Sequence, residues 1–295
     1  MTIIHTISEL TESLARARQA HCNGIGLVPT MGALHAGHAS LVRRSLAENE
    51  LTVVSIFVNP TQFNDSADLD RYPRTLQADC SLLESLLAET TTHACHQQPD
   101  IMVFAPSVEE VYPKPDTRRF SYPPTDSVME GARRPGHFNG VCQIVSRLFE
   151  WCCPDKAYFG EKDFQQIAVI RAMMADLGFQ FELVACPIVR EESGLALSSR
   201  NALLTDDERQ TATHISHTLF ASVEYARTHS VRETHDWVMS EINAQAGLEV
   251  EYFEIVDAFS LLPVTAWDAA PHIQGCITVH CGQTPIRLID NICYR

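Results

Sequence analysis

The chain has 295 residues, which is enough for two domains or for one large domain with an appendage. Apolar residues make up 45% and charged residues 20%, a globular balance that disfavours extended disorder, and no apolar run approaches the roughly 20 residues of a membrane span. The net charge of −15 argues against a general nucleic-acid or membrane-surface binder, because phosphate contacts need clustered cations. An anionic substrate would therefore need a local basic pocket inside an acidic shell.

Strands and helices alternate from residue 25 to residue 178. Short, nearly continuous apolar runs predict strands at 25–28, 52–58, 101–104 and 157–159. Apolar residues at helical spacing predict helices at 38–48, 79–87 and 163–177, the last one ended by Gly178. Strands joined through a helix should be parallel, with a right-handed crossover. The predicted fold class is therefore α/β, with a doubly wound parallel sheet.

The pattern changes after about residue 188. Two helical stretches, 206–228 and 231–245, come first, and strand-like runs follow at 249–258, 276–281 and 285–292. Helices grouped apart from strands favour a smaller α+β domain. We therefore expect a first domain at 1–188 and a C-terminal α+β domain at 189–295, without a long flexible linker.

Residues 29–38, Pro-Thr-Met-Gly-Ala-Leu-His-Ala-Gly-His, lie where the strand at 25–28 leads into the next helix. Unpaired backbone N–H groups and the positive end of the helix dipole favour an anion at such a place. His35 and His38 could donate hydrogen bonds to phosphate oxygens, so the segment predicts a nucleoside triphosphate site. Alternatively, the two histidines are polar residues that cap the helix. A zinc-protease helix is disfavoured, because its two histidines stand four residues apart with a glutamate between them.

Two amide side chains follow the strand at 52–58. Asn59 and Gln62 come at its carboxyl end, the edge at which open α/β sheets bind ligands. Together with Gln166 they could line a pocket for a small polar substrate, since amides suit hydroxyl or carboxylate groups. Turn residues without a binding role would look the same.

Lysine is scarce in this chain, with only Lys114, Lys156 and Lys162 beside 19 arginines. Lys162 stands in Gly160-Glu161-Lys162-Asp163, directly after a predicted strand and at the start of a helix. A cation is unfavourable in the first turn of a helix, so we expect Lys162 to face an anion. Asp163 suits that turn electrostatically.

Two further segments could bind phosphate. Ser198, Ser199 and Arg200 can make directed, charge-assisted hydrogen bonds, although a polar turn before the helix at 206 would look similar. The segment Arg-Arg-Pro-Gly-His-Phe at 133–138 is either a basic loop or an anion clamp.

The ten cysteines show neither regular spacing nor a C-x-x-C pair. We therefore expect reduced, mostly buried cysteines in a cytoplasmic protein. His272, Cys276, His280 and Cys281 could be drawn as zinc ligands, but residues 276–281 alternate like a strand, and we assign no metal there.

Taken together, these segments resemble the pantothenate synthetases, the family of pantoate–β-alanine ligases. The matching motifs are P-T-M-G-A-L-H-A-G-H (29–38), F-V-N-P-T-Q-F (57–63), Y-P-R-T-L-Q-A-D (72–79), E-G-A-R-R-P-G-H-F-N-G-V (130–141), G-E-K-D-F-Q-Q (160–166), V-R-E (189–191), L-A-L-S-S-R-N-A-L-L (195–204) and R-L-I-D-N (287–291). The resemblance implies a Rossmann-like nucleotidyltransferase domain, a small C-terminal lid domain and a homodimer.

The family reaction that the resemblance implies has two steps. The carboxylate of pantoate attacks the α-phosphate of Mg-ATP, which gives pantoyl adenylate and pyrophosphate. The amine of β-alanine then attacks the activated carbonyl and releases AMP and pantothenate. Such chemistry needs charge neutralisation and alignment rather than a protein nucleophile.

The resemblance also implies roles for individual residues. His38 would be the proton donor and His35 its partner on the phosphates, while Gln62 and Gln166 would hold pantoate, with Gln62 also near β-alanine. Asp163 would contact the ribose and Lys162 the phosphates; residues 197–200 would close over the triphosphate, and Arg134 and Asn59 are further candidates for substrate binding. The implied ATP-binding residues are Met31, Gly32, Ala33, Leu34, His35, Ala36, Gly37, His38, Gly160, Glu161, Lys162, Asp163, Val189, Leu197, Ser198, Ser199 and Arg200.

Some members of the family have two consecutive acids after Y-P-R-T-L, where this chain has Ala78 and Asp79. We therefore assign no protein ligand to Mg²⁺, which would enter with ATP.

Three other functions fit less well. A nucleotidyltransferase acting on a phosphorylated acceptor needs a second phosphate site, whereas Asn59, Gln62 and Gln166 are neutral. A catalytically silent nucleotide sensor would not need both His38 and Lys162, and a metal hydrolase fails on the histidine spacing.

Overall fold

The computed structural model describes residues 1–20, 22, 24–64, 66–91 and 99–295. It divides into two compact units. Unit 1 comprises Met1–Tyr122, Arg134–Gly160 and Val169–Cys186, and unit 2 comprises Pro123–Arg133, Glu161–Ala168 and Pro187–Arg295. Unit 2 thus contains two short segments from the first 188 residues as well as the C-terminal part of the chain.

Unit 1 is built on a parallel sheet of six strands. They are β1 (Thr2–Ile4), β2 (Ile25–Thr30), β3 (Leu51–Ile56), β4 (Asp100–Phe104), β5 (Lys156–Gly160) and β6 (Glu182–Cys186), in the order β1-β4-β3-β2-β5-β6. Ile25 lies opposite Leu51 on one side of β2, and Gly26 lies opposite Lys156 on the other. The strand order therefore reverses between β2 and β5, and the carboxyl ends of these two strands form the switch point of the sheet.

The chain forms ten α-helices within the described residues. They are α1 (Ile7–Gln19), α2 (Ala36–Glu48), α3 (Ser66–Arg71), α4 (Leu76–Thr91), α5 (Val108–Val111), α6 (Met129–Arg133), α7 (His137–Cys152), α8 (Phe164–Leu177), α9 (Asp206–Tyr225) and α10 (Val231–Asn243). Short 3-10 turns occur at Pro60–Gln62, Glu161–Asp163 and Ser199–Leu203. Among the described residues, none of the helices is long and apolar enough to cross a membrane.

Helices α2 and α4 pack on one face of the sheet of unit 1. Val42 and Leu83 are fully buried there against Val28, Val54 and other strand residues. Each such apolar side chain contributes about 1.5–3 kcal/mol through removal from water, which explains why the strands are apolar on both faces.

Unit 2 contains an antiparallel sheet of three strands, β7 (Leu248–Asp257), β8 (Ile273–Cys281) and β9 (Ile286–Cys293), in that order. One set of its side chains, including Phe253 and Ile277, packs with α9 and α10 around Leu219 and Val238. A second cluster joins strand residues to segments 123–133 and 161–168; its members are Met129, Tyr252, Val256, Leu261 and Cys276, with Val128, Phe164 and Ala168 beside them.

The predicted α/β fold with a smaller α+β part is confirmed, and each predicted strand and helix is present with ends shifted by a few residues. The sequence did not predict the two long helices α1 and α7 or the two edge strands β1 and β6. Residues 276–281 belong to β8, as their alternation predicts, and the nine described cysteines are free thiols; Cys95 lies outside the described residues. In segment 133–138, for which the sequence allows either a basic loop or an anion clamp, Arg133 ends α6, α7 begins at His137, and residues 134–136 form the turn between the two helices.

Candidate active site

The turn between β2 and α2 is held by its own chain and by Asp79. The N–H of Gly32 donates to Thr30 Oγ1 at 3.1 Å. The N–H groups of Ala33 and Leu34 donate to the two carboxylate oxygens of Asp79, at 3.1 and 2.8 Å. Asp79 is 2% exposed, and Ala33 has φ of 49°, a left-handed conformation that is strained for a residue with a side chain. The Asp79 carboxylate thus stabilises a strained turn.

His35 and His38 form a capping box at the start of α2. His35 Nδ1 accepts the N–H of Gly37 at 3.1 Å, and His38 Nδ1 accepts the N–H of His35 at 3.4 Å. The ring centroids are 4.2 Å apart. A nitrogen that accepts carries no proton, so in each neutral ring the proton is on Nε2. The histidines therefore cap the helix with one nitrogen and have a donor on the other.

One sequence-based expectation about this segment is wrong. The N–H groups of Gly32, Ala33, Leu34, His35 and Gly37 all donate within unit 1, so they are not the unpaired donors that we expected for an anion. The physical reason is that a buried carboxylate and two imidazoles compete for the same N–H groups. The groups of this segment that could still attract an anion are the imidazole donors and the positive end of the helix dipole.

Asn59 organises the turn that carries Gln62. Its Nδ2 donates to the carbonyl of Gly140 at 3.0 Å and to Gln62 Oε1 at 3.2 Å, while its Oδ1 accepts the hydroxyl of Tyr112 at 2.9 Å. Asn59 is 1% exposed. Gln62 Nε2 also lies 3.0 Å from Met31 Sδ, so the structure brings the amide candidate to the segment of the two histidines.

His137 and Arg134 contact the same turn. His137 is buried, and its Nδ1 lies 2.8 Å from the carbonyl oxygen of Gln62. Arg134 Nη1 lies 3.3 Å from Nε2 of the same ring. Since a guanidinium can only donate, Nε2 accepts and Nδ1–H donates to the carbonyl. The pattern 133–138 indicated the basic charge but not this buried histidine, whose contact requires α7 to pack on the turn.

Unit 2 holds the other candidates. The Glu161–Asp163 turn, with Lys162 at its centre, receives two hydrogen bonds from the side chain of Asn291, and the carbonyl of Val189 accepts the N–H of Leu197 at 3.0 Å. Ser198 caps the Ser199–Leu203 turn by accepting the N–H of Arg200 at 3.3 Å. The polar turn before α9 that we considered for this segment is therefore present.

The two neighbouring glutamines of α8 have different environments. Gln165 is buried and bonds to the carbonyls of Thr125 and Val128 and to the N–H of Glu130. Gln166 is partly exposed. Gln165 therefore fixes segment 123–133 within unit 2, whereas the side chain of Gln166 is partly accessible to solvent.

The candidates are divided between the units. Unit 1 contains residues 31–38, Asn59, Gln62, Arg134 and Gly160; unit 2 contains residues 161–163, Gln166, Val189 and residues 197–200. Asp79, His137, Asn291 and Gly140 were not predicted as site residues. Each belongs to a motif of the sequence, which is the signal that could have pointed to it, but their contacts join residues far apart in the chain.

The comparisons with known proteins agree along the whole chain. The profile of the family described as Pantoate-beta-alanine ligase matches residues 2–293. Pantothenate synthetase of Bacteroides fragilis (strain YCH46) is 60% identical over 295 residues, which cover 100% of this chain and 99% of that protein, and the Porphyromonas gingivalis (strain W83) enzyme is 54% identical over 100% of both.

Solved structures give the same result. Pantothenate synthetase from Thermus thermophilus superposes with a TM-score of 0.87 at 41% identity, over 99% of each chain. The ligase from Francisella tularensis, whose structure is described as complexed with beta-gamma ATP and beta-alanine, has a TM-score of 0.77 at 31% identity, over 100% of this chain and 98% of its own. The chain belongs to the pantoate–β-alanine ligase family.

Proposed function

We propose a role in the reaction of this family for each of the candidate site residues. The chain is an ATP-dependent ligase that condenses (R)-pantoate with β-alanine through a pantoyl adenylate, in the route to pantothenate and coenzyme A. The pantoate carboxylate oxygen forms a bond to the α-phosphorus as the bond to pyrophosphate breaks. The β-alanine nitrogen then forms the amide bond as the bond from the acyl carbon to the AMP oxygen breaks, and the ammonium group loses two of its three protons, so that the amide keeps one N–H.

One observation carries the assignment of the histidines: both rings accept a backbone N–H through Nδ1. We assign the Nε2–H groups of His35 and His38 to the phosphate oxygens of ATP, with His38 as the proton donor. Donors fixed in place before the reaction stabilise developing charge without reorganisation, and the N-terminus of α2 adds to the same field.

Lys162 neutralises the triphosphate, since an ammonium is a compact charge suited to phosphate. Residues 160–163 and Val189 contact the nucleotide, Asp163 at the ribose. Residues 197–200 close over the triphosphate, within a C-terminal lid and domain at 189–295 that follows the nucleotide-binding domain at 1–188.

Gln62 and Gln166 hold pantoate, with Gln62 also near β-alanine. Asn59 and Arg134 support this site, Asn59 through its bond to Gln62 and Arg134 through His137. Neutral amides can bond both the carboxylate and the hydroxyls of pantoate without a charge that would oppose attack on phosphorus.

Mg-ATP is the nucleotide substrate. Asp79 lies where some members of the family have two consecutive acids, and both of its carboxylate oxygens accept backbone N–H groups. We therefore assign the metal to the phosphate oxygens of ATP rather than to a protein ligand. The family further suggests a homodimer in the cytoplasm. The bound ATP compound and β-alanine named for the Francisella tularensis structure support the two substrates assigned here.

Isotope exchange between ATP and pyrophosphate tests these assignments. We expect exchange that requires pantoate but not β-alanine, and release of AMP only when both are present. His38→Ala and Lys162→Ala should each lower the exchange rate about 100-fold or more, because each removes a donor to phosphate, while the pantoate Kd changes little.

Exchange without pantoate would contradict adenylation of that acid. Equal losses of exchange and of pantoate binding in the two variants would indicate a folding defect and contradict the assigned roles. Arg227→Ala serves as the control, since this exposed arginine pairs with the exposed Glu224 on α9.

A further inference from the structure

The last strand of the chain contacts three separate segments of unit 2. From β9, Arg287 bonds to Glu130 in segment 123–133, with nitrogen–oxygen distances of 2.6 and 2.7 Å. Asp290 binds the guanidinium of Arg190 at 2.6 and 2.9 Å. Asn291 bonds to the turn at Glu161–Asp163. Two of these three segments carry residues that we assign to ATP, so β9 forms hydrogen bonds with the nucleotide-binding segments of unit 2.

The contact of Asn291 is the most specific of the three. Its Nδ2 donates to the carbonyl oxygens of Glu161 and Lys162, at 2.8 and 3.1 Å. Its Oδ1 accepts from Gln274 Nε2 at 2.7 Å, which fixes the orientation of the amide. Asn291 is 4% exposed and Gln274 is buried, so water competes little for these bonds. Both donors of one amide are thereby committed to the backbone around Lys162.

The side chain of Lys162 differs from that of Lys156 in its surroundings. Among the residues that the structure describes, no carboxylate lies within ion-pair distance of Lys162, whereas Lys156 lies 2.9 Å from Glu48. A lysine side chain without a salt bridge has many rotamers, and where its ammonium can reach depends on the position of its backbone. The backbone of the Glu161–Asp163 turn is therefore what places this charge.

We propose that Asn291 is a positioning residue for adenylation: it holds the carbonyls of Glu161 and Lys162 and so directs the Lys162 ammonium to the triphosphate. The inference rests on the proposed role of Lys162. Its effect belongs to the first step, in which the charge of the departing pyrophosphate must be neutralised; the second step starts after pyrophosphate has left.

Asn291→Asp tests this, because it keeps the shape of the side chain and replaces its N–H donors with an oxygen. We expect ATP–pyrophosphate exchange to fall about 10- to 100-fold, because a small displacement of a charged group from its reacting partner lowers the rate by a factor of this size. The pantoate Kd, and the rate at which β-alanine consumes supplied pantoyl adenylate, should stay within about threefold of wild type. Equal loss in both steps would mean a general structural effect and overturn the proposal.

Tyr294→Phe is the matched control. Tyr294 follows β9, and the hydroxyl of its partly buried side chain bonds to Ser222 at 2.6 Å on α9 rather than to the turn of Lys162. We expect this variant to lose some stability but to keep the exchange rate. A loss of exchange as large as that of Asn291→Asp would overturn the proposal.

Combining Asn291→Asp with Lys162→Ala separates this inference from the proposed function. If Asn291 acts through Lys162, adding Asn291→Asp to Lys162→Ala should lower exchange by less than about threefold. A full additional loss means that Asn291 acts elsewhere and overturns the inference alone. Unchanged exchange in Lys162→Ala itself refutes the role of Lys162 and the inference with it.

A second variant covers the case in which Asn291→Asp does not fold. Gln274→Leu keeps Asn291 and removes only the donor that orients its amide. We expect exchange to fall about 3- to 10-fold, with the β-alanine step unchanged. Unchanged exchange in this variant would overturn the proposal.

Discussion

His35 and His38 show how one residue can serve structure and chemistry through different atoms. Their Nδ1 atoms cap α2, and their Nε2 atoms carry the protons that we assign to phosphate binding. From the sequence alone, helix capping and phosphate binding are alternative roles for these two histidines, because both roles need polar residues at the start of a helix. Spacing alone does not tell which nitrogen accepts a backbone N–H, since this depends on the turn that Asp79 holds.

The buried carboxylate of Asp79 leads to a prediction at this scale. In Asp79→Asn one of the two oxygens becomes an NH₂ group, so one of the N–H groups of Ala33 and Leu34 loses its acceptor. We expect a loss of stability of about 1–3 kcal/mol from the unsatisfied donor. The displaced histidines should lower ATP–pyrophosphate exchange about 10-fold.

The control for Asp79 is Glu84→Gln, an exposed acid on the same helix, α4. Thermal unfolding and exchange should both match wild type in this variant. If Asp79→Asn keeps the full exchange rate while its stability falls, the carboxylate does not position the histidines.

At the scale of elements, buried strands were predictable and α7 was not. A run such as 52–58 is apolar on both faces and short, which is distinctive of a strand in a parallel sheet. The start of α7, His-Phe-Asn-Gly at 137–140, has the composition of a turn. Gly140 stands in this helix because a Cβ there would lie 2.2 Å from the carbonyl oxygen of Thr61. The presence of a glycine in this helix is therefore explained by a tertiary contact, which the local sequence does not reveal.

Gly140→Ala is therefore expected to disturb substrate binding from within a helix. The added methyl must displace the Pro60–Gln62 turn, and overpacking of this kind costs about 1–3 kcal/mol. Because Gln62 moves with that turn, we expect the pantoate Kd to rise about 10-fold, with a smaller change in the KM for ATP. Isothermal titration with pantoate measures the first quantity and steady-state kinetics the second.

Glu150→Ala provides a comparison at an exposed position of α7. Its pantoate affinity should equal that of the wild type. Equal weakening of pantoate and ATP binding by Gly140→Ala would show that the helix does not act through the Gln62 turn.

At the scale of the whole molecule, the chain crosses between its two units several times. The change of pattern near residue 188 predicts a second domain, but not that segments 123–133 and 161–168 belong with it. These segments are joined to unit 2 by buried polar pairs, such as Glu130 with Arg287 and Asn291 with the Lys162 turn, together with a small apolar cluster. Such pairs join residues more than a hundred positions apart, so no local period in the sequence reveals them.

The Glu130–Arg287 pair should make unit 2 sensitive to acid. Burial opposes the charge on Glu130, but bonds from Arg287, Tyr252 and Thr278 outweigh it and lower the pKa from its ordinary 4.5 to about 2. A lowered folded-state pKa means a stabilising contribution that is complete above pH 4.5 and lost as the pH falls towards 2. Glu130→Gln removes that contribution, because the side chain no longer carries the charge.

We therefore expect Glu130→Gln to be less stable than wild type by about 3 kcal/mol above pH 5, with a difference that shrinks as the pH approaches 2. Urea unfolding followed by tryptophan fluorescence reports on unit 2 when it is measured in a Trp151→Phe background, since Trp151 belongs to unit 1 and the other two tryptophans, Trp237 and Trp267, belong to unit 2. Glu224→Gln removes an exposed ion pair with Arg227 and should leave the curves unchanged. A stability difference that stays constant from pH 7 to pH 2 would show that the charge of Glu130 is not what joins segment 123–133 to the sheet of unit 2.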